Sequence, residues 1–418
     1  MNAEAPVTAQ QGPETPPGLI KGALRRTLDN IRAGELGSWP VIIGLIFISL
    51  FFNSKNSNFL SGSNFANLIT QMVPLAIIAI GVVFVLLIAE IDLSVAFVSG
   101  LAGAVVIAEV TARHFHFSAL VAIAIALAAG ALYGLAQGSV IAYVGVPSFV
   151  VTLAGLLIAE GLVVKVVGSS PIYINNTWIL DLNNYRFTHA QGWLVAFVVS
   201  ALYALVVLMG VISRWLSTQP PRRGGDTGYL WYALAKVVAA TVALFGIVAW
   251  ANRARGGFGL PLCFVILLGL YVFWNFIASR TTFGRHVYAV GGNAEAARRS
   301  GINVSRIKLI VFMISGLMAA AGGVMSASRS ISAVPGVGGD PLLMYAIASA
   351  VIGGTSLFGG RGHVKSAVLG ALIIQMIANG CDLVGYSSAT RFIVTALILL
   401  GAVTLDTVAR KRQAAAGR

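Results

Sequence analysis

The sequence predicts an all-α polytopic membrane protein with about 10–12 transmembrane helices and both termini cytoplasmic. Three observations carry that expectation. Hydrophobic residues make up 57% of the 418 and charged residues only 10%, against about 25% charged in a soluble domain. Apolar runs of roughly 17–25 residues recur, each long enough to cross a ~30 Å hydrocarbon layer. The Lys and Arg residues sit in short patches between these runs, which is the positive-inside pattern. That placement turns the net charge of +14 into a topology signal and removes the reading of a nucleic-acid binder. A membrane β-barrel is excluded as well, since it needs short alternating segments.

Residues 1–35 read as a cytoplasmic tail. The first twenty are polar and rich in Pro, Gln and Thr. In "LRRTLDNIRAGEL", Leu24, Leu28 and Ile31 share a helical face with Arg25, Arg26 and Arg32 off it. This segment is either a helix lying on the membrane surface or a plain basic linker. Residues 36–406 form the transmembrane domain, with spans near 37–52, 72–89, 94–110, 117–142, 146–167, 192–212, 229–251, 259–278, 308–328, 341–357, 364–380 and 390–405. The fourth carries Gly130, Gly134 and Gly138, a GxxxGxxxG row that permits close packing on a neighbouring helix. Residues 279–307 form a cytoplasmic loop, and 407–418 a basic cytoplasmic tail.

With the N-terminus inside, the inner loops hold Arg214, Arg222 and Arg223; Arg280, Arg285, Arg298, Arg299, Arg306 and Lys308; Arg361 and Lys365; and Arg410, Lys411 and Arg412. The exception is "NRARGG", which puts Arg253 and Arg255 outside. Either that loop is interfacial or the pair of spans at 229–278 is misdrawn. A weak internal repeat relates 78–108 to 347–378: an apolar run, a polar break with a serine, then a Gly-containing apolar run. Both copies cross in the same direction, a parallel repeat of the kind transporters contain.

Several motifs invite chemistry. In "AEIDLS", Glu90, Asp92 and Ser94 fall between two spans. An ionisable group at membrane depth marks a pathway, a pairing or a hinge; the alternative is a cytoplasmic turn in which Ser94 caps the next helix. In "GVPSFVVTLAG", Pro147 suits a first helical turn. Ser148 and Thr152, four apart and beside Phe149, either line a polar path or bond back to their own backbone. Glu160 and Lys165 read as structural, with Lys165 reaching the interface. "GGRGHVKS" is not a phosphate loop, because Val364 stands where Gly must precede Lys. Any ATP hydrolysis tied to this protein therefore belongs to another chain. His114 and His116 lack the partners of a metal site, and Cys263 and Cys381 give no metal or disulfide spacing. Nothing reads as a catalytic residue, a cofactor site or a metal site.

The stretch "GGNAEAARRSGINVSRIK", residues 291–308, interrupts the apolar chain. Asn293 is a good N-cap, Glu295 suits the first turn, Arg298 and Arg299 the last, and Gly301 the closing left-handed position. Such a helix of about two turns cannot stand alone in water. Ala294, Ala297 and Gly301 fall on one narrow face of small side chains. The segment is either docked on a partner protein or resting on the chain's own helices and lipid headgroups.

"AEIDLS", "VPSFVVTLAG", "TTFGRHVYAVGGNAEAARRSGINVSRIKLIVFMISGLM" and "VIGGTSLFGG" resemble the permease subunit of ribose/xylose-type ABC sugar importers. The resemblance runs from about residue 60 to 405, and the extra length around 192–278 is closer to the xylose branch. It implies a homodimer in the bacterial inner membrane, taking a monosaccharide from a periplasmic sugar-binding protein and driven by a separate cytoplasmic ABC ATPase that uses the ATP. By position, Gly292, Asn293, Glu295, Ala296, Ala297, Arg298 and Gly301 are then the coupling segment for that ATPase. Glu90, Asp92, Ser94, Ser148, Phe149 and Thr152 are expected near the translocation path. One departure is Ala96, where the family carries Gly. Two rivals remain: an ion-gradient-driven secondary transporter, and an intramembrane enzyme, for which no nucleophile or metal pair is visible.

Overall fold

The computed structural model describes residues 39–415 apart from 111–116, 217–225, 255, 335, 337 and 340. The expectations for residues 1–35, His114, His116, Arg222, Arg223 and Arg255 lie outside the described residues, as do the side chains of Arg214, Arg410, Lys411 and Arg412. The chain is an all-α bundle. Its helices are α1 (Trp39–Lys55), α2 (Gly62–Leu87), α3 (Val95–Val110), α4 (Ala119–Ser139), α5 (Ser148–Val167), α6 (Thr177–Asn184), α7 (His189–Leu216) and α8 (Asp226–Ala251). They continue as α9 (Leu262–Arg280), α10 (Thr282–Gly292), α11 (Ala294–Arg299), α12 (Val304–Ser330), α13 (Leu342–Ile352), α14 (Val364–Val384) and α15 (Ser388–Ala415). A single wide π-turn, Val140–Val144, ends α4.

Each expected span has a helix, and eight of the described helices are long and apolar enough to cross a membrane. The lengths depart from expectation at three places. α2 begins at Gly62, ten residues before the expected 72. Its polar opening turns are stabilised inside the bundle: Ser61 caps Asn64 N–H at 3.2 Å, and the Asn64 side chain donates to Asn379 on α14 at 2.8 Å. The span expected at 341–357 is only the 11 residues of α13, about 16 Å of rise. α15 runs on to Ala415, so the basic tail from 407 starts inside a helix.

Layering follows from burial. The most apolar 18-residue window of α2 is 94% buried, against 6% for α7. So α2 is the axial helix and α7 lies at the periphery with its Leu and Val side chains outward. α12 and α14 pack on α2. α4 packs on α12 through its glycine row: a Cβ on Gly134 would lie 2.1 Å from the Phe312 carbonyl, and one on Gly316 2.1 Å from the Gly130 carbonyl. The backbones touch there, as the GxxxGxxxG spacing predicts.

Two small antiparallel pairs sit at one end. β1 (Ile172–Tyr173) pairs with β4 (Ser332–Ala333), and β2 (Arg186–Thr188) with β3 (Phe258–Pro261). At this hairpin end Trp250 stacks on Phe65 with centroids 4.8 Å apart and donates from Nε1 to the Leu60 carbonyl at 2.9 Å. The loop with Arg253 therefore lies beside the start of α2, with α8 and α9 on either side of it where the spans at 229–251 and 259–278 were expected. The opposite, basic end gathers α10, α11 and the two chain breaks of the internal repeat. Both copies of that repeat enter this end and leave it in the same sense, as the sequence predicts.

Candidate functional site: two chain breaks and a short helix

The first break is residues 88–94. α2 stops after Leu87, and Ala89 adopts a left-handed φ of 60°, a conformation that carries strain for a residue with a Cβ. Glu90 then forms an ion pair with Lys308 in the second turn of α12. Two residues on, Asp92 is buried. Ser94 donates to its Oδ1 from the backbone at 2.9 Å and from the hydroxyl at 2.6 Å, and the Ser315 hydroxyl donates to Oδ2 at 2.7 Å. Gln137 Nε2 of α4 donates to the Ser94 hydroxyl oxygen at 3.1 Å. Lys308 and Ser315 are seven residues apart, so the break climbs ~10 Å along α12 between its ion pair and its carboxylate. Glu90 lies at the basic end of the bundle, and Asp92 is buried well inside it.

α5 closes the other side of this break. The Ile91 N–H reaches the Ser148 hydroxyl at 3.4 Å, and the Thr152 hydroxyl donates to the Ser148 carbonyl at 2.9 Å with the Ile91 carbonyl at 3.4 Å. Thr152 thus bonds back to its own helix, and the pair also grips the break. Phe149 does not join them. It is 55% exposed and faces out of the bundle, because helical geometry turns it about 100° from Ser148. Ala96 is fully buried, and a Cβ on Gly338 would lie 2.5 Å from its carbonyl oxygen.

The short helix forms as its end signals predict. Asn293 Oδ1 accepts from Ala296 N–H at 2.9 Å, Gly301 takes a φ of 84°, and Ile302 N–H returns to the Ala297 carbonyl at 3.0 Å. Glu295 pairs with Arg298 at 3.1 Å and Arg299 at 3.3 Å; both pairs are solvent-exposed and contribute little stability. Gly292, Asn293, Glu295, Ala296, Arg298 and Gly301 are exposed. Ala297 is not. It is 4% exposed and packs into the chain's own core, so the expected small face is divided between the bundle and the outside.

The helix before it, α10, is not among the elements expected from the sequence. Its signal is nonetheless present: Thr281 as N-cap, accepting from Gly284 N–H at 3.2 Å, and an apolar stripe of which Val287 and Val290 are buried. α10 ends between the two breaks. A Cβ on Gly291 would lie 1.6 Å from the Leu87 carbonyl oxygen and 2.7 Å from Gly360 N. Gly360 N–H donates to that same Leu87 carbonyl at 2.9 Å, and the Tyr288 hydroxyl to the Gly362 carbonyl at 2.8 Å. The second break, 353–363, therefore meets the first on the backbone of α10. Lys308, Ser315, Gln137 and Gly291 are the residues that sequence reasoning missed. Each lies far along the chain from the break it holds, and no local pattern announces it.

Among the described residues, no three His, Cys, Asp or Glu side chains converge as a metal site. Cys263 and Cys381 are buried free thiols.

A family model described as "Branched-chain amino acid transport system / permease component" matches residues 64–403. The chain belongs to this permease family. It is 35% identical over 391 residues to the xylose transport system permease protein XylH of Escherichia coli K12, covering 91% of this chain and 94% of that protein. The Haemophilus influenzae xylose permease is 34% identical over 387 residues, with 91% and 99% covered. The ribose import permease protein RbsC of E. coli K12 is 32% identical over 365 residues, with 87% and 92% covered. No solved structure matches the chain. The permease match spans α2 to α15 and so includes both breaks and the short helix. The resemblance to ribose/xylose permeases read from the motifs stands, and the chain is a transport subunit, not an enzyme.

Proposed function

We propose that this permease is the membrane-spanning subunit of an ATP-driven monosaccharide importer of the xylose/ribose type, working as a homodimer in a bacterial inner membrane. It takes a pentose from a periplasmic binding protein at the hairpin end and couples to a separate cytoplasmic ATPase at the basic end. One observation carries this reading: a six-residue helix that presents Asn293, Glu295, Ala296, Arg298 and Gly301 outward directly follows α10, whose Gly291 packs on both breaks of the internal repeat. A helix this short gains nothing by itself, so its exposed side is read as the surface another protein grips. Glu90, Asp92, Ser94, Ser148 and Thr152 lie on the moving part, beside the solute path.

Buried Asp92 supports a second reading, transport driven by an ion gradient, because intramembrane carboxylates serve as cation and proton relays. Purified permease in liposomes separates the two. Uptake of labelled D-xylose that requires ATP, the ATPase and the binding protein is the expected result; uptake by the permease alone under a proton or sodium gradient rejects it. Reversing two charges, Arg298→Glu with Arg299→Glu, is expected to leave insertion intact and abolish stimulated ATP hydrolysis. Unchanged transport by that double variant argues against docking at 293–301.

A further inference from the structure

We propose that Lys308 and Glu90 are positioning residues that make the first chain break follow the short helix, carrying its displacement to the buried Asp92 cluster. This rests on the importer reading above. The route is continuous in named contacts. α11 is fixed to the start of α12 because Ala297 is buried and its carbonyl accepts from Ile302 N–H at 3.0 Å. Asn303 caps α12, accepting from Arg306 N–H at 2.9 Å. One turn from that cap, Lys308 meets Glu90.

The ion pair is partly enclosed, with side chains 25% and 17% exposed. That sets it apart from the pairs of Glu295, whose partners Arg298 and Arg299 are 66% and 80% exposed. Screening by water and salt is therefore weaker at Glu90 than on the short helix. Among the described residues, no other side chain ties the break to α12 at this level. Ala89 is left-handed and exposed, the hydroxyls of Ser148 and Thr152 meet Ile91 from α5 at 3.4 Å, and α12 next reaches the break where Ser315 donates to Asp92 at 2.7 Å. With the pair intact, the first turns of α12 and the break form one body. Without it, only the packing of Gly291 on Leu87 links the short helix to the break, and less of its displacement reaches Asp92.

The test uses the complete complex in proteoliposomes with ATPase, binding protein, ATP and D-xylose. Four variants are compared: Glu90→Gln, Lys308→Met, Lys308→Arg, and the exchange Glu90→Lys with Lys308→Glu. Glu90→Gln and Lys308→Met are expected to assemble with the ATPase and hydrolyse ATP, yet to deliver about tenfold less xylose per ATP, within the range by which residues along a coupling route modulate it. Lys308→Arg keeps the charge and is expected to transport normally. The exchange is expected to recover most of the loss, which a merely structural role in folding does not produce. Normal xylose per ATP in both single variants overturns the proposal, and so does an assembled exchange variant no better than either single. Should a single variant fail to assemble, the exchange and Lys308→Arg decide the matter: recovery by both supports the proposal, and failure of either in assembled complex overturns it. If the wild-type complex moves xylose without ATP, the importer reading fails first, and that result is distinct from the variant outcomes.

Discussion

The two breaks of the internal repeat have the same layout and opposite chemistry. Residues 88–94 are held by side chains: an ion pair at Glu90, a buried carboxylate at Asp92, hydroxyls from Ser94, Ser148 and Ser315, and the Gln137 amide. Residues 353–363 lean more on close backbone approach. Gly359 and Gly360 have φ of 80° and 69°, and a Cβ on Gly353 would lie 1.9 Å from the Ser366 carbonyl. A side-chain-held break changes position by exchanging discrete polar bonds, and charge or protonation can bias that exchange. A glycine-rich break relies less on such bonds and admits close contact on all sides. The first break is built to respond and the second to serve as the surface it moves against.

The largest expected effect tests the backbone half. Gly291→Ala drives a Cβ into the Leu87 carbonyl and is expected to cost at least about 1–3 kcal/mol, as overpacking does. Gly292→Ala, with open space around it, leaves folding unchanged. Thermal unfolding of the two purified variants in detergent measures the contrast, and equal Tm values break it.

The side-chain half is tested next. Asp92→Ala strands the Ser315 hydroxyl, at about 1–3 kcal/mol for a buried group left unpaired, while the Ser94 hydroxyl keeps Gln137. Asp92→Asn retains an acceptor and is expected to fall less in Tm; an equal fall removes the carboxylate's claim to be a hydrogen-bonded anchor. Smaller still is Ser315→Ala, expected near 1 kcal/mol for one lost hydrogen bond.

The smallest effect is one of pH. Burial, helped by Lys365, holds the His363 imidazole below its ordinary 6.5. The unfolded chain then takes up a proton before the folded one does. His363 thus detracts from stability as pH falls below 6.5 toward the lowered folded value, and has no effect above it. Tm followed from neutral to mildly acid pH is expected to drop less in His363→Gln, and parallel curves remove this contribution.

Span positions and the ends of the short helix were legible because both are local. Apolar length marks a crossing, and Asn293, Glu295 and Gly301 mark a start and a stop within nine residues. The early start of α2 was hidden because Asn64 and Gln71 look like loop residues until Asn379 and Gln375, over three hundred positions away, pair with them. Ala297 was legible as small but not as inward-facing, since a six-residue helix has too few turns to define a face. The grip on Asp92 was invisible for the same reason as the α2 start: a serine on α12 is unremarkable until the fold brings it to a carboxylate.

α13 has one further consequence, for how the protein is made. At 11 residues it falls short of the ~20 that insertion into a bilayer requires, and the approach of Gly338 to Ala96 places its start deep among the other helices. Segment 342–352 therefore has no stable membrane position during synthesis until α2 and α3 are already there to receive it. Biogenesis is ordered by this dependence: the earlier repeat must be embedded first, and in a released chain truncated after residue 363 a cysteine placed within 342–352 is expected to become reactive to a water-soluble maleimide if the first repeat is deleted.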